Sequence, residues 1–309
     1  MKFRDLVLKN RSYRRFHQNH AIPLITLVEL VDLARHSASG NNQQPLKFFL
    51  SADPETNAIF IYLESFKRPR RFLEVARQVT RSKPVILLKG GSTAEGSRAA
   101  VAHTAALASD DRIIEGALRQ AGVVRVYDYS HLILAAKAIS AMPLPRGNRV
   151  SFSAPSGAML VCMTDLCRRR WGLQVPKLEE KTRRYLQEIS PPYIRMRNPV
   201  DIWPAATATG VEFAYREGTE AVLKDDNIDA VVMILMITEE TGVPSMDFIV
   251  ELARRYPEKP LYVTFSGQKQ HMDAAKAYLE PRGVPTFPLI EQPFEVLSIL
   301  ARCRKAMNR

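Results

Sequence analysis

The 309-residue chain is short of several things, and each shortage excludes a class of protein. Its three cysteines, Cys162, Cys167 and Cys303, are odd in number and lack metal-site spacing. A disulfide-built secreted fold is excluded, no metal ligand set is expected, and the thiols read as reduced in a cytoplasmic chain. No apolar run approaches the ~20 residues that a membrane-spanning helix needs. The opening MKFRDLVLKNRSYRRF carries charge throughout and no apolar centre, so no secretory leader is expected. Acidic side chains are the minority, 32 against 44 basic ones, for a net charge of +12. The basic residues fall in short clusters, Arg11/Arg14/Arg15, Lys67 to Arg71, Arg168 to Arg170 and Arg183/Arg184. They do not form one stripe with interleaved aromatics, so nucleic acid is not the expected partner. Phosphorylated small molecules or an acidic partner subunit suit the charge equally well.

What is present is an alternation. DLVLKNR and LITLVELVDLARHS have helical spacing, SASGNNQQP breaks it, and LKFFL reads as a short strand. From residue 58 the rhythm becomes strand, helix, strand, helix. AIFIYLE and the apolar run KPVILLKGG are strands, RRFLEVARQVTRS lies between them as a helix, and EGSRAAVAHTAALAS is a loop leading into a helix. DRIIEGALRQAG, VVRVYD and SHLILAAKAISA continue the series, and PLPRGN is the linker. A second series follows: the strand and turn RVSFSAPSG, a helix ending at Gly172, NPVDIW in a loop, then strands IDAVVMILMI, KPLYVTF and VPTFPLI with helices between and after them. The expected fold is α/β: two consecutive flavodoxin-like, doubly wound parallel-sheet domains after an N-terminal helical segment. The boundaries are 1–57, 58–146 and 147–309.

In such sheets the ligand edge is the carboxyl end of the strands, where the Gly-Gly, SAPSG and FSG turns fall. The loop after KPVILLKGG is freed by Gly90 and Gly91, carries Ser92, Thr93 and Ser97, and runs into a helix start, a natural phosphate site. His103 follows among alanines, as though packed at a helix start. Glu64 ends the neighbouring strand. A carboxylate bonded to one imidazole nitrogen fixes the tautomer and leaves the other nitrogen free to attack phosphorus. Taken singly, the two residues also read as a capping histidine and a surface glutamate. His131, at a helix start, reads as a cap or surface residue. Cys162 and Cys167 read as packing, and Asp201 as a turn cap or cleft residue.

Six blocks carry a resemblance: IYLESF, RRFLEVARQV, KPVILLKGGSTAEGSRAAVAHTAALA, RQAGVVRVYDYSHL, GNRVSFSAPSGAMLVCMTDLCRRRWGL and NPVDIW. In order and spacing they resemble the succinyl-CoA synthetase superfamily, and within it the NDP-forming acyl-CoA synthetases, including the ADP-forming acetate–CoA ligases. The resemblance implies a ligase that relays phosphate between acyl phosphate and nucleotide through a phosphohistidine. It makes His103 the phosphate carrier and Glu64 its orienting residue. It places Gly90, Gly91, Ser92, Gly96 and Thr104 around one phosphate-clasping helix end, and Ser153, Ser156 and Gly157 at a second. The family's Ser-His-Thr-Gly is here Ala102-His103-Thr104-Ala105, and its paired-glycine turn is Pro155-Ser156-Gly157, which bears on catalytic competence. No Gly-rich CoA-binding fingerprint precedes residue 58 and no ATP-grasp nucleotide module follows. CoA-binding and ATP-grasp modules, with CoA and Mg-nucleotide, are therefore expected on another polypeptide.

Residues 1–57 resemble the start of a flavin-dependent nitroreductase, through NRSYRRF and SASGNNQQPLKF. That likeness implies FMN contacts from Arg11, Ser12, Arg14, Ser39, Asn42 and Gln44. A fragment of this length cannot enclose a flavin, so FMN is not an expected cofactor. The alternatives to a phosphohistidine enzyme are a non-catalytic partner-binding subunit or fusion remnant of the same family and, further off, a flavoenzyme.

Overall fold

The computed structural model describes residues 56–66, 68–104, 110–239 and 244–308, with backbone only for 100–104. The N-terminal helical segment, LKFFL and the six residues assigned to FMN lie outside the described residues. Asn57–Arg309 form one compact unit.

Its first part is a three-stranded parallel sheet in the order β1-β2-β3, with β1 Ile59–Leu63, β2 Val85–Lys89 and β3 Val124–Val126. Alternation along β2 divides its side chains between two cores. Val85 and Leu87 join Ala76, Leu118 and Val123 in a small core beneath α1 (Pro69–Val79) and α3 (Asp111–Gln120). Ile86 and Leu88 face the other way, into the large core, with Ala135 and Ala138 of α4 (Tyr129–Ala141). Pro69 opens α1 where an amide N–H would have no partner, and Asp110 and Asp128 cap α3 and α4 by accepting the N–H groups of Arg112 and His131. The helix after β2 is α2, Ala94–Thr104.

The second part is a five-stranded parallel sheet in the order β5-β4-β6-β7-β8. The strands are β4 Val150–Ala154, β5 Val200–Asp201, β6 Ala230–Ile237, β7 Leu261–Gly267 and β8 Thr286–Phe287. Counted within this sheet the order is 2-1-3-4-5, that of flavodoxin-like folds, and its switch point lies between β4 and β6. The helices are α5 Gly157–Leu166, α6 Glu180–Glu188, α7 Trp203–Thr209, α8 Val211–Leu223, α9 Asp247–Arg255, α10 Lys269–Leu279 and α11 Gln292–Met307. Gly172, in the left-handed region at φ 64°, stops the wide turn Cys167–Trp171 that extends α5. Phe152, Trp171 and Phe294 form an aromatic wedge, Trp171 stacked on Phe294 at 5.5 Å and Phe152 edge-on at 5.1 Å. One core runs continuously from this sheet through α4 to the first sheet.

The alternating pattern identifies the main elements, and four local readings are corrected. NPVDIW is not wholly loop: Val200–Asp201 pair with Ser153–Ala154 as an edge strand, and α7 begins at Trp203. Two strand residues are too few to show a period. The nine-residue α6 was not foreseen, because EKTRRYLQE is mostly charged. It is held by Leu186 in the core and by Arg183 and Arg184 on Glu180. VPTFPLI contributes only two strand residues. Finally, His103 is not at a helix start: α2 begins at Ala94, and His103 is its penultimate residue.

Candidate functional site

The first sheet brings Glu64 against the glycine loop. The Gly90 N–H donates to the Leu63 carbonyl at 3.0 Å, so β2 leaves the sheet beside the residue preceding Glu64. A Cβ at Gly90 would lie 3.3 Å from Glu64 Cγ and 3.0 Å from Tyr62 Oη. The half-buried Glu64 side chain thus folds over a glycine that leaves it room. The Tyr62 hydroxyl donates to Glu64 Oε1 at 3.1 Å, and the Tyr62 ring lies 5.4 Å from that of Tyr129. Hydrogen bonding with Tyr129, partial burial and the adjacent carboxylate push the Tyr62 phenol up to about 12, so it remains a donor at neutral pH.

Gly91 has φ 69°, which favours glycine, and its Cα would lie only 3.4 Å from a Cβ on Gly96. Thr93 caps α2: its hydroxyl accepts the Gly96 N–H at 3.0 Å and its carbonyl the Ser97 N–H at 2.8 Å. Gly96 therefore sits in the first turn of the helix, not in the loop. Glu95 puts a carboxylate in that same turn. Both features already complement the helix dipole, which weakens this end as an anion site. His103 and Thr104 close the helix, nine residues from Ala94 and therefore roughly 13 Å along its axis.

Two cations that the sequence reading passed over lie below the loop. Lys89 is buried and its ammonium donates to the Gly90 carbonyl. Burial lowers its proton affinity, against the pull of Asp111 and with the push of Arg125. Arg125 is buried in β3 and forks onto Asp111 at 2.7 and 2.9 Å, with Glu115 at 3.3 Å. Lys at a strand end and Arg inside an apolar strand were the available signals, since neither is buried without a partner.

The second sheet places Pro155-Ser156-Gly157 at the carboxyl end of β4, beside the switch point. Ser156 is the N-cap of α5, yet its side chain makes no capping bond, and no acidic residue lies in the first turn. This helix end is open where that of α2 is occupied. Ser153 is buried, and its hydroxyl has no partner among the described residues. An open cleft of about 590 Å³ borders Gly157, with Thr164, Arg195, Arg197 and Asp201 on its walls. Asp201 thus lines the cleft. Arg195 and Arg197 were missed because they stand alone in an irregular segment.

The strand ends therefore gather Glu64, Gly90, Gly91 and Ser92 in one sheet and Ser153, Ser156 and Gly157 in the other. His131 is neither a simple cap nor a surface residue. Asp128 is the cap, accepting the His131 N–H at 2.8 Å, and the imidazole lies between Asp128 Oδ2 at 3.1 Å and Glu295 Oε2 at 3.2 Å. Cys167 and Cys303 are buried and Cys162 exposed, all as free thiols. Among the described residues no helix is long and apolar enough to cross a membrane, and no acidic, histidine and cysteine group has the arrangement of a metal site.

Residues 43–139 match the family described as "Succinyl-CoA ligase like flavodoxin domain". The match starts ahead of the junction expected at residue 58, so this likeness reaches into the segment read as nitroreductase-like. The chain is 36% identical over 252 residues to the alpha subunit of the ADP-forming acetate–CoA ligase II of Pyrococcus furiosus, covering 80% of this chain and 53% of that one. It is 30% identical over 289 residues to the alpha subunit of ligase I of the same organism, covering 91% and 60%. Among solved structures, the dinucleotide-forming acetyl-coenzyme A synthetase 1 of Ca. Korarchaeum cryptofilum, in complex with phosphate and ADP, superposes with a TM-score of 0.74 at 29% identity. That superposition covers 83% of this chain and 56% of that one. The chain thus spans a little over half the length of these relatives.

Proposed function

The chain belongs to the NDP-forming acyl-CoA synthetase family, and we propose that it is the part of such an enzyme that relays phosphate through His103. In this reading the three-stranded and five-stranded sheets are two consecutive domains that divide near residues 146 and 147. The His103 imidazole attacks the phosphorus of an acyl phosphate. A nitrogen–phosphorus bond forms, the phosphorus–oxygen bond to the acyl group breaks, and a carboxylate leaves. Glu64 holds the N–H of the other ring nitrogen and stabilises the positive charge that develops. The phosphoryl group then passes to a nucleoside diphosphate. CoA and the nucleotide are held by CoA-binding and ATP-grasp modules on another polypeptide.

The observation that carries the reading is Glu64, half-buried at the end of β1, folded over Gly90 and bonded by Tyr62. A surface glutamate needs no such glycine and no such donor. The uncapped start of α5 supports the second clasp. A helix end of this kind contributes ~0.3–1 kcal/mol toward a phosphate, and up to ~2 when partly buried. The Thr93 cap and Glu95 at the start of α2, with Ala102 and Ala105 beside the histidine, favour the rival reading, a partner-binding subunit that carries no phosphate.

The test is incubation with radiolabelled acetyl phosphate and magnesium. An acid-labile, base-stable label is expected, abolished by His103→Asn and slowed 10- to 100-fold by Glu64→Gln, the range seen when an orienting partner is lost. A label that persists in His103→Asn, or none in the parent chain, refutes the relay.

A further inference from the structure

A second cleft, of about 690 Å³, opens at the opposite edge of the five-stranded sheet, at the amino end of β4. Five strand residues at ~3.3 Å each separate it from the Ser156-Gly157 turn, so it is distinct from the phosphate-relay site. Its walls come from the segment before β4, from Trp171 to Gln174, and from the last turns of α11.

The lining differs in charge from two other clefts of the second sheet. Arg146, Arg302, Arg304 and Lys305 line it, with no carboxylate among the described residues. The cleft beside Gly157 sets Asp165 and Asp201 against its two arginines. The one beneath β6 and β7 sets Asp226, Asp229 and Glu258 against its basic residues. Arg302 and Lys305 are exposed and form no ion pair among the described residues. Arg304 is pinned in place by donating to the Pro145 and Leu144 carbonyls at 3.3 and 3.4 Å, and it meets no carboxylate among the described residues. Arg146 meets Glu258, which lies outside this cleft.

An independent observation concerns Trp171, which belongs to the same wall. It is 7% exposed, and its indole N–H is buried with no acceptor among the described residues. A buried donor left unpaired costs ~1–3 kcal/mol and calls for an explanation. Trp171 closes the wide turn Cys167–Trp171, whose i→i+5 bond runs from the Gly172 N–H to the Cys167 carbonyl. Such turns concentrate at functional sites. The ring is fixed from behind by Phe294, and the backbone by Ser298, whose hydroxyl donates to the Trp171 carbonyl at 2.6 Å.

We propose that this cleft binds a small, multiply charged anion of the polyphosphate type, at a site separate from the phosphate relay. The volume is that of a small-molecule site, and a described lining of cations without a counter-carboxylate matches a compact ligand bearing several negative oxygens. An acidic peptide of a partner subunit would spread its charge over a longer track than the last turns of one helix.

The test is titration of the intact chain with inorganic pyrophosphate, read by calorimetry and by Trp171 fluorescence in a Trp203→Phe background. Saturable binding is expected, weakened at least tenfold in the double variant Arg302→Glu/Lys305→Glu and unchanged in His103→Ala. Both substituted cations are exposed, so the fold survives their reversal. Trp171→Phe removes the N–H and keeps an aromatic ring, and it is expected to weaken binding three- to tenfold. Equal binding by the parent and the double variant overturns the proposal. So does loss of binding in His103→Ala, or binding of poly-glutamate without binding of pyrophosphate.

Discussion

Replacing Gly90 by alanine separates the two demands the loop makes on its glycines. Gly91 is needed for its backbone, at φ 69°. Gly90 has no positive φ and is needed for space. The new Cβ would meet Tyr62 Oη at 3.0 Å, the tip of its side chain, and Glu64 Cγ at 3.3 Å, so both side chains must retreat by a few tenths of an ångström. Stability changes little. Disturbing the Tyr62–Glu64 hydrogen bond costs at most ~0.5–1.5 kcal/mol, and the stiffer unfolded chain returns ~0.4–1 kcal/mol. The net effect is within about 1 kcal/mol, whereas Gly91→Ala, forced into the left-handed region, costs ~1–2 kcal/mol. Activity responds differently. A displacement of 1 Å in a positioning group costs on the order of a hundredfold, so a few tenths should slow phosphorylation by about threefold to tenfold. Urea unfolding and the rate of labelling by acetyl phosphate measure the two effects on the same preparation. If Gly90→Ala is labelled at the parent rate, or unfolds more than ~3 kcal/mol more easily, Glu64 does not lean on this loop as described.

Two further outcomes test the fold. Burial pushes the Glu220 carboxyl up, but the hydrogen bond from Tyr256 and the ion pairs with Lys224 and Arg255 outweigh it and bring the group down to about 2. Its folded value lies below the unfolded one, so the stabilisation is complete above about pH 4.5 and is lost as pH falls toward 2. Glu220→Gln should therefore lower stability by about 1–3 kcal/mol at pH 7 and by little near pH 2, measured by urea unfolding across that range. Burial pushes the Cys167 and Cys303 thiols up to about 12, while Cys162 is exposed. A thiol reagent at pH 8 should titrate one group quickly in the native protein and three after denaturation; three fast groups would show the core to be open.

Particular residues show what could be read without coordinates. The apolar runs VILLK and AVVMILMI announce buried parallel strands because both faces of such a strand are covered, and their spacing sets the alternation with helices. Gly172 and the Asp128 cap mark helix ends through backbone chemistry that acts within a few residues. The candidate site was legible as far as residue types at strand ends allow: Glu64 after β1, Gly90-Gly91 after β2, and Ser156-Gly157 after β4.

Other features depend on groups far apart in the chain. That Gly90 makes room for Glu64 follows from the pairing of β1 with β2, and the sharing of the imidazole of His131 with Glu295 follows from α4 meeting α11. The strand order 2-1-3-4-5, which puts the SAPSG turn at a switch point, is likewise invisible in an alternating pattern, since any order alternates alike. Local sequence determined which segments are strands, helices and caps, because propensity, period and capping act over a turn or a strand. Only the packed structure decided which charges are left without partners among the described residues and which side chains meet across strands and helices, because those depend on distances between residues that the chain itself does not keep close.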